Sequence, residues 1–404
     1  MRRIVNSWLF LLVFLLISCR ENPSDIPKPE IRSLSYSEKE VVSASNGFVF
    51  DLMTTLENEL KHENYFISSF SISTALSMVM NGATESSQTK FIETLGLTGM
   101  SRVEINESYK SLVEYIYKLD PSVTLNIANS NWYTDQLTIN PDFEQILNDF
   151  YNAQVYRADF GNPSTVNNIN DWVEDETNGK IKDILSSIDP TEVMFLINAI
   201  YFKANWTTQF DPKLTDNGSF TLADNSVIEV PMMHAADVKL WIGYDSEIQA
   251  RFVDIPYGNE NYGFTIVIPD HPDEIYSISS SIHADKLQQL IENADERTID
   301  LNFPKFKIEF KKDIRDHLVD MGMPLHGFDG LFTESVPLAI SKVIHQSFLE
   351  VNEEGSEAAA ATVVGIELTS VDPRVDISSP FIFFIRERNS NTILFSGKLL
   401  DPTR

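Results

Sequence analysis

Residues 353–370 place the strongest constraint on the fold, because this one segment changes character halfway along its length. Its first half is small and flexible, with a glycine at Gly355 and four consecutive alanines at 358–361. Its second half, 362–369, is rich in the β-branched residues that favour an extended chain. Asp372 and Pro373 follow as a turn signal, which predicts an exposed loop after the segment.

An extended conformation would leave one face of this segment without charge. Alternate side chains of a strand lie on opposite faces, so one face would carry Ser356, Ala358, Ala360, Thr362, Val364, Ile366 and Leu368. Glu357 and Glu367 would lie on the other face. This pattern suits a central strand with a buried inner face. On composition alone, an alanine-rich helix or an ordinary linker is the alternative, because alanine leads the helix scale.

The flanking sequence favours the strand. Residues 341–351 and 379–385 each read as a buried strand on either side of the segment. A segment that could itself form a strand, placed between two such strands, indicates something other than a static loop.

This segment resembles the hinge and reactive loop of inhibitory serpins. The resemblance rests on the ordered hinge residues Glu353, Gly355, Ser356, Glu357, Ala358, Ala359, Ala360 and Ala361. Counting along the family pattern from Glu353 to Pro380 implies a reactive bond between Thr369 and Ser370, and Leu368 is the alternative position one bond earlier.

The resemblance extends over about nine tenths of the chain. Residues 64–72 match the start of the second serpin helix, residues 194–206 match a strand buried on both faces, and residues 393–402 match the closing hairpin. The family implies an α+β serpin fold with three β-sheets, about eight to nine helices and an exposed reactive loop.

Two supporting clusters are implied by the resemblance. The first, the shutter cluster, is a hydrogen-bonded group beneath the central sheet, made of Ser68, Ser71, Asn198 and His345. The second, the breach cluster, lies where the loop would first enter the sheet and consists of Trp206, Lys305 and Glu353. The role of His345 in this family is structural, so no catalytic role is expected for it.

The N-terminus reads as a targeting segment followed by a tether. A charged start at Arg2 and Arg3 precedes an apolar run at 8–17, too short to span a bilayer, and the run ends in a sequence resembling a bacterial lipobox at Cys19. We expect a signal peptide at 1–18, a lipid-anchored tether at 19–40 and a serpin domain at 41–404, with its reactive loop at about 353–379. An ordinary secretory signal with an incidental cysteine is the alternative.

These features predict a lipid-anchored protein of the bacterial cell envelope that faces the periplasm or the exterior. Acyl chains on Cys19 would hold it to a membrane. The formal charge of −28 makes nucleic acid an unfavourable partner. No motif for a metal, a cofactor or a catalytic nucleophile occurs, so none is expected.

The predicted function is protease inhibition by a monomer acting as a suicide substrate in a 1:1 covalent complex. Thr369 suits the small or medium apolar pockets of elastase-like or subtilisin-like serine proteases, and cysteine proteases also remain open as targets. The alternative is a non-inhibitory serpin that acts as a cell-surface binding module or chaperone. Non-inhibitory members commonly disrupt the hinge with bulky or charged residues, whereas Ser356 and Ala358 to Ala361 are small and uncharged here.

Overall fold

The computed structural model describes residues 31–189, 191–356 and 374–404. The helices among these residues are α1 (Tyr36–Leu60), α2 (Ser69–Met80), α3 (Glu85–Thr94), α4 (Arg102–Leu119), α5 (Pro141–Tyr151), α6 (Ser164–Glu176), α7 (Ile275–Ser281), α8 (Ala284–Glu292) and α9 (Arg315–Asp320). The strands are β1 (Tyr65–Ile67), β2 (Val123–Thr134), β3 (Gln154–Ala158), β4 (Met194–Asn205), β5 (Asp216–Thr221), β6 (Val227–Asp245), β7 (Ala250–Tyr257), β8 (Tyr262–Pro269), β9 (Asp295–Pro304), β10 (Phe306–Asp313), β11 (Ile344–Val351), β12 (Gly355–Ser356), β13 (Arg374–Asp376), β14 (Phe381–Glu387) and β15 (Ile393–Leu399).

A six-stranded sheet carries the region of interest, with strand order β10-β11-β12-β4-β2-β3. β4 pairs with β2 along 11 residue positions, from Ala204 opposite Val123 to Met194 opposite Tyr133. β11 pairs antiparallel with β10 along its full length. β12 contributes only two residues between β11 and β4.

The second sheet has nine strands, in the order β1-β15-β14-β8-β7-β6-β9-β13 with β5 paired to β6. The α+β class is confirmed, but by hydrogen bonding the described strands form two sheets where three were predicted. The reason is the long strand β6, which continues past an irregularity between Ala235 and Val238 and so serves both halves of the larger sheet. Asp237 lies in this irregularity with φ +52°.

Helix α1 begins earlier than the predicted start of the folded body at residue 41. Its first residue is Tyr36, and Ser35 and Glu38 form a reciprocal capping box, with the Ser35 amide donating to the Glu38 carboxylate at 2.7 Å. Arg32 also pairs with Glu38, at 2.9 Å. The cap fixes the helix start, so the predicted tether boundary at residue 40 lies inside the helix.

Helix α2 lies beneath the six-stranded sheet. Its N-cap is Ser68, whose hydroxyl accepts from the Ser71 amide at 3.3 Å. A serine hydroxyl at the N-cap satisfies a backbone amide of the first turn, so α2 begins at Ser69.

A second, smaller apolar cluster covers the outer face of the same sheet. It joins α6 and the segment after it to the strands, through Trp132, Ile169, Val173, Ile181, Ile184, Leu185 and Ile197, with Ile344 and Phe348 packed at its edge. Gln346 on β11 also donates to the Lys182 carbonyl at 3.1 Å. The centre of the sheet is therefore covered on both faces.

Within the described part of the chain, no helix has the length and apolar character needed to cross a bilayer. The same residues contain no group of three or more histidine, cysteine, aspartate or glutamate side chains arranged to bind a metal ion. The predicted signal peptide and Cys19 lie outside the described residues.

Candidate functional site

Among the described residues, β4 and β11 of the six-stranded sheet are joined only at one end, through β12. At the top, Ser356 of β12 pairs with Ala204 on one side and with Val351 on the other. Below Ser356, no backbone pairing among the described residues joins β4 to β11. We call the strip bounded by 194–203 and 344–350 the β4/β11 gap. No described residue pairs with the facing edges of β4 and β11 along this strip, and a strand edge without a neighbour can pair with an added strand.

A tight turn returns the chain from β11 into the sheet. The Asn352 side-chain oxygen accepts from the amides of Glu354 at 3.0 Å and Gly355 at 3.3 Å, and the Asn352 amide donates to the Gly355 carbonyl at 3.0 Å. A side chain at Gly355 would collide with the Ala204 carbonyl and lie 2.6 Å from the Asn205 Cα. Only glycine allows this approach of two backbones.

The predicted breach residues meet beside this turn. Lys305 Nζ lies 2.9 Å from the Glu353 carboxylate, and the Thr215 hydroxyl donates to the same carboxylate at 2.8 Å. Burial acts to raise the pKa of Glu353, but the hydrogen bonds from Lys305 and Thr215 outweigh it and hold this pKa below its usual value. Glu353 is therefore a charged group in a largely buried position.

Trp206 completes the breach cluster by contacting both sides of the turn. Its indole nitrogen donates to the Asn352 carbonyl at 2.9 Å, and its amide donates to the Glu354 carbonyl at 2.9 Å. Its ring stacks on Tyr257 with centroids 4.4 Å apart. The Tyr257 hydroxyl lies 2.6 Å from Ser356 Oγ, and burial raises the pKa of this phenol above its usual value. Both residues of β12 are thus held in the sheet.

The predicted shutter residues lie midway down the gap, in two hydrogen-bonded chains. In the first, the Ser68 amide donates to His345 Nε2 at 3.1 Å. In the second, the Ser71 hydroxyl donates to Asn198 Oδ1, and Asn198 Nδ2 donates to Asn129 Oδ1 at 2.6 Å. The Ser71 amide, donating to the Ser68 hydroxyl, links the two chains.

His345 is neutral in this setting. Burial lowers its pKa from 6.5 to about 4, and its Nε2 is the acceptor for the Ser68 amide. A protonated ring would lose that acceptor, because both nitrogens of a histidinium carry hydrogens.

Sequence reasoning missed Asn129, Thr215 and Tyr257. Asn129 was detectable as a polar residue within a buried strand, and its Nδ2 donates to the Tyr151 carbonyl at 2.8 Å. Thr215 and Tyr257 carry no local signal, because their roles arise only from their contacts with Glu353 and Ser356 across the fold.

A cavity of about 630 Å³ lies at the lower end of the β4/β11 gap. Its walls are mainly apolar side chains from α2, from β4 and from the segment before β11, including Ile72, Leu76, Leu196, Leu338 and Val343, and Glu192 and Lys342 also line it. Asn198 and His345 stand at its upper end. The gap therefore opens onto an apolar space beneath the sheet.

The remaining predicted loop residues, Glu357, Ala358, Ala359, Ala360, Ala361, Leu368, Thr369 and Ser370, lie outside the described residues. The flanking strands do place the two ends of that segment. It leaves the six-stranded sheet at Ser356 and joins the nine-stranded sheet at β13, which pairs in parallel with β9. The segment 357–373 therefore connects two different sheets.

Comparison with known proteins identifies the family. Residues 43–402 match the family model described as Serpin (serine protease inhibitor). The chain is 33% identical to an uncharacterised serpin-like protein of Thermococcus kodakarensis, covering 100% of this chain and 99% of the relative. It is also 33% identical to the leukocyte elastase inhibitor of Bos taurus, covering 90% of this chain and 100% of the relative.

A crystal structure of human thyroxine-binding globulin complexed with thyroxine superimposes with a TM-score of 0.83 at 30% identity. The match covers 91% of this chain and 100% of that one.

Proposed function

The chain belongs to the serpin family, and from this premise we propose that it inhibits proteases as a single-use substrate. A target protease would cut the segment 357–373, and the freed end would enter the β4/β11 gap as a new strand. The observation that carries this proposal is the two-residue strand β12, which already lies between β4 and β11 and is the one strand of the described residues that pairs with both.

The register of β12 predicts the position that each residue after Ser356 would occupy in the inserted strand. Continuing the pairing of Ser356 with Ala204 and Val351, one residue at a time, puts Thr362 opposite both Asn198 and His345. The inserted strand would therefore pass the shutter cluster at its first β-branched residue. From Gly355 to Thr369 the strand would extend roughly 50 Å at about 3.3 Å per residue.

The same register supports the predicted parity. Ser356 is buried toward the inner face, where its hydroxyl meets Tyr257, so Val364, Ile366 and Leu368 would also point inward. They would enter the apolar cavity below the shutter cluster. Burial of each such side chain contributes about 1.5 to 3 kcal/mol.

The segment after α6 covers the outer face of the sheet and explains why the outward-facing residues of the inserted strand would be alanines. Ala359 and Ala361 would lie opposite Phe348 and Gln346, where Lys180 and Lys182 pass over the strand. Small side chains fit beneath this cover, whereas Glu357 and Glu367 would lie toward its two ends.

The chemistry we propose begins with attack by the serine hydroxyl of the protease on the carbonyl carbon of Thr369. The Thr369–Ser370 peptide bond breaks, Ser370 leaves with a protonated amino group, and Thr369 remains as an ester on the protease. Inhibition results when insertion distorts the protease before water hydrolyses the ester. Elastase-like and subtilisin-like enzymes are the proposed first targets, with Leu368 offering a second cleavage position.

A second candidate is a non-inhibitory binding protein, favoured by the similarity to thyroxine-binding globulin in complex with thyroxine. The hinge residues that enter the sheet support the inhibitor instead, since Gly355 and Ser356 are small and carry no charge to bury.

We also propose that lipid on Cys19 holds the protein at the bacterial cell envelope. The test is metabolic labelling with an alkyne fatty acid in a bacterial host. Label is expected on the wild type and absent from Cys19→Ser. Equal labelling of both proteins would contradict lipidation at Cys19.

The inhibitor proposal is tested by mixing residues 31–404 with a panel of serine and cysteine proteases. A covalent complex that survives boiling in detergent is expected with an elastase-like or subtilisin-like enzyme, and sequencing the released peptide should give Ser370 as its first residue. Ser356→Glu, which would bury a charge in the hinge, should be cleaved without forming the complex. Cleavage of the wild type by every protease without any complex would contradict the proposal.

A further inference from the structure

An ion pair spans the β4/β11 gap at the end far from the hinge. Lys342 Nζ lies 2.9 Å from Glu192 Oε1. Glu192 stands two positions before β4 and Lys342 two positions before β11, so the pair joins the lower ends of the two strands that border the gap.

Glu192 is held firmly in this position. Its side chain is only 3% exposed, whereas that of Lys342 is 37% exposed. Glu192 Oε2 accepts from the Asp189 amide at 2.7 Å, and Oε1 also accepts from the Ser341 hydroxyl at 3.4 Å. Lys342 therefore supplies the only positive charge that the described residues place within ion-pair distance of this buried carboxylate.

The pair crosses the path of an inserted strand. Two strands that border one missing strand are about 9.5 Å apart, which extended lysine and glutamate side chains can bridge. Continuing the register of β12 to the lower ends of the two strands puts inserted position 363 opposite Ile344 and inserted position 366 opposite Met194. A strand that continued past these positions toward Thr369 would run between the two charges.

We propose that Glu192 and Lys342 form a clasp that must open before loop insertion is complete, and so sets the rate of its last stage. The inference rests on the proposed inhibitory function. The two side chains are positioning residues, because they act on the gap and not on the reactive bond. They lie at the opposite end from the breach cluster, so they leave the first contacts of insertion unchanged.

Opening the clasp governs the outcome of each encounter with a protease. The ester is either trapped by completed insertion or hydrolysed, so faster insertion yields more covalent complex and less cleaved inhibitor. A partly exposed ion pair of this kind is expected to slow the last stage about three- to tenfold.

The test uses Lys342→Met, Glu192→Gln and the double variant Glu192→Gln/Lys342→Met. The glutamine variant keeps an oxygen for the Asp189 amide and so preserves the fold. Lys90→Met is the matched control, because it breaks an exposed pair with Glu93 within α3, outside the gap.

Two quantities are measured: the ratio of covalent complex to cleaved inhibitor under conditions where the wild type yields both, and the rate at which rapidly cleaved protein becomes heat-resistant. Both single variants should raise each quantity about three- to tenfold. The double variant should raise it no further than either single variant, and Lys90→Met should match the wild type.

Unchanged values in Lys342→Met and Glu192→Gln would overturn the clasp while leaving the inhibitory function intact. A double variant whose increase equals the product of the two single increases would also overturn it, because the effects would then belong to the separate side chains. If the wild type forms no complex with any protease and gains no heat resistance on cleavage, the proposed function itself fails.

Discussion

The buried imidazole of His345 makes native stability depend on pH. Its pKa in the folded protein is about 4, below the 6.5 of a free histidine, so between these values the unfolded chain binds a proton that the folded chain does not. The contribution of His345 to the free energy of unfolding should therefore be fully present above pH 6.5. It should be lost as the pH falls, which lowers the free energy of unfolding by about 3 kcal/mol at pH 4.

Urea unfolding at several pH values checks this expectation. His345→Gln, whose amide oxygen can still accept from the Ser68 amide, should lose the part of the pH slope between 4 and 6.5. His271→Gln replaces an exposed histidine and should keep it. An unchanged slope in His345→Gln would assign the pH dependence to other groups.

Removing Lys305 should destabilise the uncut protein. The Glu353 carboxylate is 8% exposed and would keep only Thr215 as a side-chain partner. Because Lys305 is itself 42% exposed along its side chain, the expected loss for Lys305→Met is about 1 kcal/mol, measured by urea unfolding.

The control for this loss is Lys307→Met, two residues along the chain, which breaks a solvent-exposed pair with Glu309. It should leave the free energy of unfolding nearly unchanged. Equal losses of unfolding free energy in the two variants would mean that the burial of Glu353 does not strengthen its ion pair with Lys305.

At the scale of the element, the inserted strand should tolerate polar substitutions on one face only. Ile366 would point inward to the cavity and Glu367 outward, so Ile366→Asn should reduce the heat stability gained on cleavage by about 2 to 4 kcal/mol. Glu367→Asn changes the adjacent residue to the same amide and should retain the gain.

Calorimetry of both variants before and after cleavage provides the comparison. A larger loss in Glu367→Asn than in Ile366→Asn would reverse the parity and with it the register derived from β12.

At the scale of the whole molecule, the proposed loop insertion should make the uncut protein less stable than the cleaved one. A completed central strand adds backbone hydrogen bonds at about 1 kcal/mol each and buries apolar side chains. The melting temperature should therefore rise by more than about 10 °C on cleavage within 357–373.

Thermal melts of the protein before and after limited proteolysis measure this difference, with mass spectrometry to locate the cut. Cleavage of the tether before α1 is the control and should leave the melting temperature unchanged. Equal melting temperatures for the uncut protein and the protein cut inside 357–373 would contradict the proposal that loop insertion drives inhibition.

The amino-acid sequence by itself determined the features that are local in the chain. The order of Glu353, Gly355 and Ser356 and the alternating faces of the following segment are visible in one stretch, because side-chain parity depends only on position along a strand. The same holds for most strands and helices, whose apolar periodicity marks them directly. These patterns, with the family resemblance, predicted the fold class and which residues to inspect.

Only the tertiary structure decided which distant residues meet. The collision that requires Gly355 involves Ala204, the shutter chain continues through Asn129, and the lower ends of the gap are joined by Glu192 and Lys342. No spacing along the chain encodes these contacts, because they depend on the register in which strands far apart in sequence come to lie side by side. For the same reason, the sequence alone does not explain the alanines proposed to face outward. Their small size is explained by the segment after α6, which crosses the outer face of the sheet.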